Sequence, residues 1–169
     1  IDLSAGSARQ ENCTATASDP DGYEDIINAT AYLYHEDLSY ENAADDNNTH
    51  YTGSCSLYGG SGNDIEINCP FIMPYYAYNG TWRCAVNATD SQGTGGKGVD
   101  QARVNPLLAL DISPLIDFGV LDVGAISPEK MLRVTNLGNL LIDIAVDGYG
   151  AFDGDSNAMN CSAGTTPNI

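Results

Sequence analysis

The chain has 169 residues, with 6 basic side chains against 23 acidic ones and a formal net charge of −17. A surface of that sign excludes nucleic acid and anionic membranes as partners, because both need cationic patches. No run of about 18 apolar residues occurs, so no membrane-spanning helix is expected.

The acidity has three readings at this stage. It can be a solvated, self-repelling surface, an adaptation to high salt, or a source of Ca²⁺ ligands, since aspartates outnumber glutamates and many sit beside glycine. The chain opens on Ile1 with no leader pattern, which reads as a processed or partial chain.

Strand signals dominate, with Asp-Gly, Gly-Gly, Asn-Gly and Ser-Gly punctuation and no sustained 3.6-residue period. Residues 11–18 alternate, placing Cys13, Ala15 and Ala17 on one face. Residues 26–34 place Ile27, Ala29, Ala31 and Leu33 inward and Asn28, Thr30, Tyr32 and Tyr34 outward. Residues 36–49 read as a long, exposed acidic loop with at most one helical turn. Strands are expected at 51–58 and 64–69, joined through Gly59 to Gly62. Residues 81–89 form a strong strand with Trp82, Cys84, Val86 and Ala88 inward. Residues 91–98 read as a glycine-rich loop before a closing strand at 99–104, and Asn105-Pro106 marks a boundary. Beyond it, strands are expected at 107–112, 116–119, 121–124, 130–135 and 140–146, with loop after Gly148. That is fewer than a seven-stranded sandwich needs.

Six Asn-x-Ser/Thr sequons occur, at Asn12, Asn28, Asn47, Asn79, Asn87 and Asn160, where chance gives roughly two. Two of them share strands with cysteines. In Asn12-Cys13-Thr14 the Asn and Thr face one way and Cys13 the other. In the segment from Cys84 to Thr89, Cys84 faces opposite to Asn87 and Thr89. Sulfur inside and sugar acceptors outside is the layout of an exported, N-glycosylated β-domain.

Ten tyrosines, most between Tyr23 and Tyr78, suit either core packing or a contact surface, with Tyr75, Tyr76 and Tyr78 beside Pro74 and Asn79. Catalysis finds no motif. His35 and His50, the only histidines, flank the acidic loop and lie near no nucleophile signature. No Cys/His metal spacing and no phosphate-cradling loop are present.

The segments Cys-Thr-Ala-Thr-Ala-Ser-Asp-Pro-Asp-Gly at 13–22 and Trp-Arg-Cys-Ala-Val-Asn-Ala-Thr-Asp-Ser-Gln-Gly at 82–93 resemble the immunoglobulin-like modules of prokaryotic surface proteins, of the PKD and cadherin-like kind. Asp117-Phe118-Gly119, Asp122-Val123-Gly124 and Thr135-Asn136-Leu137-Gly138-Asn139 are similar to a second immunoglobulin-like group of archaeal and bacterial envelope proteins.

The resemblance implies an all-β chain of two immunoglobulin-like β-sandwich domains, residues 1–105 and 106–169. The second would be incomplete, or completed by a strand from another subunit. The implied topology sets Cys13 and Cys84 in opposite sheets, within reach of a disulfide, with Cys55 and Cys69 as the second pair. Cys161 is left over, its partner lying in further chain or in another subunit. The same topology brings the 19–25 loop and Asp90 to one end, so that Asp19, Asp21, Asp25 and Asp90 become candidate Ca²⁺ ligands. Asp-Pro-Asp-Gly at 19–22 is equally an ordinary turn.

The expected function is that of an extracellular, cell-surface structural glycoprotein, a homo-oligomeric subunit of a filament, pilus or coat carrying N-linked glycans and no catalytic residues. Donor-strand complementation by the Ile1 to Ser7 segment is one expected assembly mode. The alternative is an adhesin or carbohydrate-binding module that uses Ca²⁺ at the acidic end.

Overall fold

The computed structural model describes residues 1–122 and 124–145. These residues are all-β. β1 (Ala8–Ser18), β2 (Ile26–His35), β3 (His50–Ser54), β4 (Ser56–Ser61), β5 (Asp64–Pro74), β6 (Gly80–Asp90) and β7 (Gly95–Val104) form two antiparallel sheets. One has the order β1-β5-β4 and the other β3-β2-β6-β7. A single-turn helix, Tyr23–Asp25, precedes β2.

Alternation along each strand builds the core between the sheets. β5 buries Ile65, Ile67, Cys69, Phe71 and Met73 while the residues between them stay more exposed. β6 answers with Trp82, Cys84, Val86 and Ala88, and β2 with Ala29, Ala31 and Leu33. Each large apolar side chain buried in this way contributes about 1.5–3 kcal/mol. Trp82 is fully buried, stacks on Tyr51 with 5.6 Å between ring centroids, and donates its indole N–H to the Tyr78 carbonyl at 2.8 Å.

Three details differ from the sequence expectation, each for a local reason. Ile27 is 61% exposed and Ile26 is buried in its place. A bulge between Ile26 and Asn28 adds one residue to β2 and moves the side-chain phase by one. The single strand expected at 51–58 is two strands in different sheets, β3 and β4, and the chain crosses between the layers at Cys55. The glycine-rich 91–98 stretch is only half loop. Gly95 to Gly98 pair with Thr89 to Val86 as part of β7, since a ladder needs backbone groups rather than side chains. The β4–β5 connection turns at Gly62, with φ of 62°.

Both disulfides form as expected. Cys13–Cys84 ties the two sheets together with Cα atoms 6.5 Å apart. Cys55–Cys69 joins the sheet crossing to β5 with Cα atoms 4.1 Å apart. Cys13 and Cys69 are themselves opposite one another in the β1–β5 ladder, so both bridges meet in one layer of the core. Cys161 lies outside the described residues, as does Asn160.

The region from residue 106 carries fewer strands than expected. β8 (Leu110–Ile112) and β9 (Val134–Asn136) form a two-stranded ladder. The strands expected at 116–119 and over 140–145 are absent among the described residues, and Val123 and Val146 are outside them. A strand needs a neighbour to satisfy its backbone, and the described residues supply none for these segments. The apolar side chains stay in solvent accordingly, Val120, Ile126, Met131 and Leu141 almost completely so. Buried Asn139 accepts from the Leu107 N–H at 2.7 Å and donates to the Asn105 carbonyl at 3.2 Å.

Candidate functional site

The acidic end assembles much as the topology implies. Carboxylate oxygens of Asp19, Asp25 and Asp90 lie within 4.8 Å of one another. Backbone bonds organise the loops that carry them. Asp19 accepts from the Asp21 N–H at 2.8 Å, and Asp90 accepts from the Gln92 and Thr94 N–H groups at 2.9 and 2.7 Å. The Ser91 hydroxyl bonds the Asp25 carboxylate, and its N–H donates to the Asp25 carbonyl at 2.9 Å, which stitches the two loops together. Asp21, the fourth expected ligand, is exposed and not part of the converging trio. Three carboxylates at this spacing offer oxygen ligands of the kind Ca²⁺ takes.

Beside the trio, a concavity of about 560 Å³ opens between β1 and β7. Its walls are Ala15, Ala17, Gly96 and Gly98, and its floor includes Ile67 and Val86. A second, of about 370 Å³, continues along the same edge over Cys13, Cys84 and Trp82. Neither β1 nor β7 has a strand partner on its outer side among the described residues.

The N-terminal segment is not free to be donated. The Asn105 N–H donates to the Ile1 carbonyl at 2.9 Å, and the Asp2 carboxylate accepts from the Asn105 side chain at 2.8 Å. The Asp2 carbonyl accepts from Arg9 at 2.9 Å, and Leu3 is buried in the core. Residues 1–3 therefore pack on their own sandwich, which removes them as the donor strand.

The acidic loop at 36–49 is the least anticipated part of the molecule. It contains no helix, and most of its residues are exposed as expected, Leu38 and Tyr40 among them. It lies as a strap across the outer face of the four-stranded sheet. Ala85, on that outer face, is fully buried yet outside the core cluster. Polar contacts pin the strap along its length. Glu36 pairs with Arg83, and Glu41 pairs with Lys97 while accepting from Asn87 Nδ2 at 3.1 Å. Asp45 meets His50 Nδ1 at 2.8 Å and accepts from the Thr52 hydroxyl at 2.9 Å.

His50 is fully buried and faces the Glu41 carbonyl at 2.9 Å through Nε2. It also lies beside the rings of Tyr32 and Tyr34. Those two tyrosines lie on the outer face as expected and are half-buried. Among the described residues, Tyr40, Tyr58, Tyr76 and Tyr78 are the exposed tyrosines. His35, at the other end of the strap, is buried. Its Nδ1 accepts from the Asp37 N–H at 3.2 Å, and its Nε2 faces the Asn79 carbonyl at 3.1 Å.

The strap's carboxylates are tuned by these contacts. Burial alone would raise Asp46. Hydrogen bonds from the Thr49 hydroxyl and from the N–H groups of Thr49, Asn48 and His50 outweigh it and bring it down to about 2. Hydrogen bonds from Lys97 and then Asn87 hold Glu41 below its ordinary range. Asp45 is also lowered, since its bonds to His50 and Thr52 outweigh desolvation.

The sequons divide by surroundings. Asn12, Asn28 and Asn47 are exposed, whereas Asn79 and Asn87 are half-buried. Around Cys13 the expected phase holds, with Asn12 and Thr14 exposed and Cys13 turned toward the core. No helix among the described residues is long and apolar enough to cross a membrane. No family model, curated protein or solved structure matches this chain significantly.

Proposed function

We propose that this chain is an extracellular structural glycoprotein, a cell-surface module of a filament, pilus or coat, built on an immunoglobulin-like sandwich. The observation that carries the reading is the division of chemistry across β1. Cys13 is bridged to Cys84 inside the sandwich, while Asn12 and Thr14 of a sequon lie exposed on its outer side. Disulfides persist in oxidising compartments outside the cytosol, and sequon modification belongs to exported chains. The strand orders β1-β5-β4 and β3-β2-β6-β7, with one bridge between the layers, support the immunoglobulin-like assignment. Open edges on β1 and β7 support assembly by strand addition from a second copy. The mechanism is mechanical, requires no catalytic residue, and rests on cross-linked sheets and sugar-shielded faces.

Intact-mass and glycopeptide analysis of native material, with electron microscopy of the same sample, tests the proposal. Hexose-bearing Asn12 and Asn28, two disulfides and an ordered polymer are expected. Bare asparagines together with free thiols at Cys13 and Cys84 overturn it.

A second reading is a Ca²⁺-dependent adhesin or carbohydrate-binding module, favoured by the convergence of Asp19, Asp25 and Asp90. Calorimetric titration with CaCl₂, followed by a glycan array, separates the two. Saturable heat that Asp25→Asn abolishes favours binding. No heat in the wild type removes the Ca²⁺-dependent alternative.

A further inference from the structure

The sequons are not equivalent once the strap is in place, and Asn87 is the one in conflict with it. Its position on β6 follows from strand phase. Asn87 is opposite Thr30 on one side and Lys97 on the other, on the outer face of the four-stranded sheet. Phase alone makes it an open acceptor like Asn12. In the folded chain its Nδ2, the atom that would carry a sugar, donates to Glu41 Oε1 at 3.1 Å. The other Glu41 oxygen holds the Lys97 ammonium. The acceptor nitrogen therefore sits against residue 41 of the strap, whose carboxylate is also paired with the Lys97 ammonium. Two residues away on the same face of β6 is Ala85, fully buried yet outside the core cluster.

We infer that a glycan on Asn87 and the docked strap exclude one another, so that modification at this sequon controls whether the outer sheet face is covered. Attaching the sugar replaces one Nδ2 hydrogen by a glycosidic carbon and leaves the other hydrogen in place. A ring bonded to the atom that contacts Glu41 at 3.1 Å competes with Glu41 for the space beside Asn87. Lifting residue 41 also withdraws the carbonyl that meets Nε2 of His50, the ring beside Tyr32 and Tyr34. Asn12, Asn28 and Asn47 have no such conflict, because each is exposed and none has its Nδ2 donated within the fold. The inference rests on the glycoprotein reading and adds a consequence for the strap.

The test compares the wild type with Thr89→Ala, which destroys the sequon and keeps the Asn87 amide, in a host that performs N-glycosylation. Glycopeptide mapping measures occupancy at Asn12, Asn28 and Asn87. Hydrogen exchange then follows residues 36–50, whose Asn48, Thr49 and His50 amides bond Asp46. In molecules modified at Asn87, exchange of that peptide should rise about tenfold or more over Thr89→Ala, with β5 unchanged. Equal protection in the two overturns the inference. Where the folded wild type carries sugar at Asn12 and Asn28 but none at Asn87, Glu41→Ala should raise Asn87 occupancy, and continued absence of sugar there overturns it as well. A chain bare at all three positions removes the glycoprotein reading and the inference with it.

Discussion

Removing the bridge between the sheets should cost more than removing the bridge within one layer, and by a margin that loop length sets. Cys13 and Cys84 are separated by 71 residues, and Cys55 and Cys69 by 14. On the chain-entropy relation these loops correspond to about 4.4 and about 3 kcal/mol at 25 °C. The short loop lies inside the long one and shortens it slightly, which lowers the larger value by only about 0.2 kcal/mol because the dependence is logarithmic. Each pair joins one buried cysteine to one half-buried one, so truncation to alanine removes similar packing in the two cases. The difference between the double variants, about 1.2–1.4 kcal/mol, then isolates the loop contribution.

Trp82, the only tryptophan and fully buried, reports unfolding by fluorescence, and urea titration gives both midpoint and slope. Cys13→Ala with Cys84→Ala should lower the melting temperature by roughly 20–30 °C, taking about 4–8 °C per kcal/mol for a domain near this size. An inverted order, with the Cys55 and Cys69 pair more costly at unchanged slope, refutes the reasoning. It would mean that the sheet crossing at Cys55, not chain entropy, decides what the sulfur contributes.

Three further expectations follow from single sites. Asp46 is held near 2 in the folded chain, below the ordinary aspartate value of about 4, so its contribution is present above that value and fades as pH falls toward about 2. Asp46→Asn should flatten the loss of strap protection between about pH 4 and pH 2, measured by hydrogen exchange, and an unchanged acid profile counts against the assignment. Gly53→Ala places a methyl 2.7 Å from the buried Phe71 ring, so that ring or β3 must shift, and should cost about 1–3 kcal/mol in urea unfolding. A neutral result would mean that β3 can move outward at no cost. Asn139→Ala strands the Leu107 N–H and the Asn105 carbonyl, costing about 1–3 kcal/mol locally, and should speed exchange at Leu107 without moving the Trp82 transition.

Period-2 patterns were legible wherever a strand has one wet face and one dry face. Cys13, Ala29, Ala31, Leu33, Trp82, Cys84, Val86 and Ala88 all took the expected side. The pattern failed at Ile27, because a bulge is a backbone event with no mark in the alternation. It also failed past residue 106, where apolar runs read as strands although the described chain supplies them few partners. The acidic trio could be anticipated from loop composition once a topology was assumed. The strap could not, because Glu36, Glu41 and Asp45 look like ordinary solvated charges until Arg83, Lys97 and His50 arrive from distant strands.

Alternation, cysteine phase and turn residues thus determined by themselves that this chain is all-β, which faces carry sulfur and which carry the sequon asparagines, since those are properties of neighbours along one strand. Tertiary structure alone decided that residues 1–3 pack at home, that the chain changes sheets at Cys55, and that Asn87 lies against the acidic strap. Each of these depends on groups far apart in sequence meeting across strands, and local periodicity carries no information about such encounters.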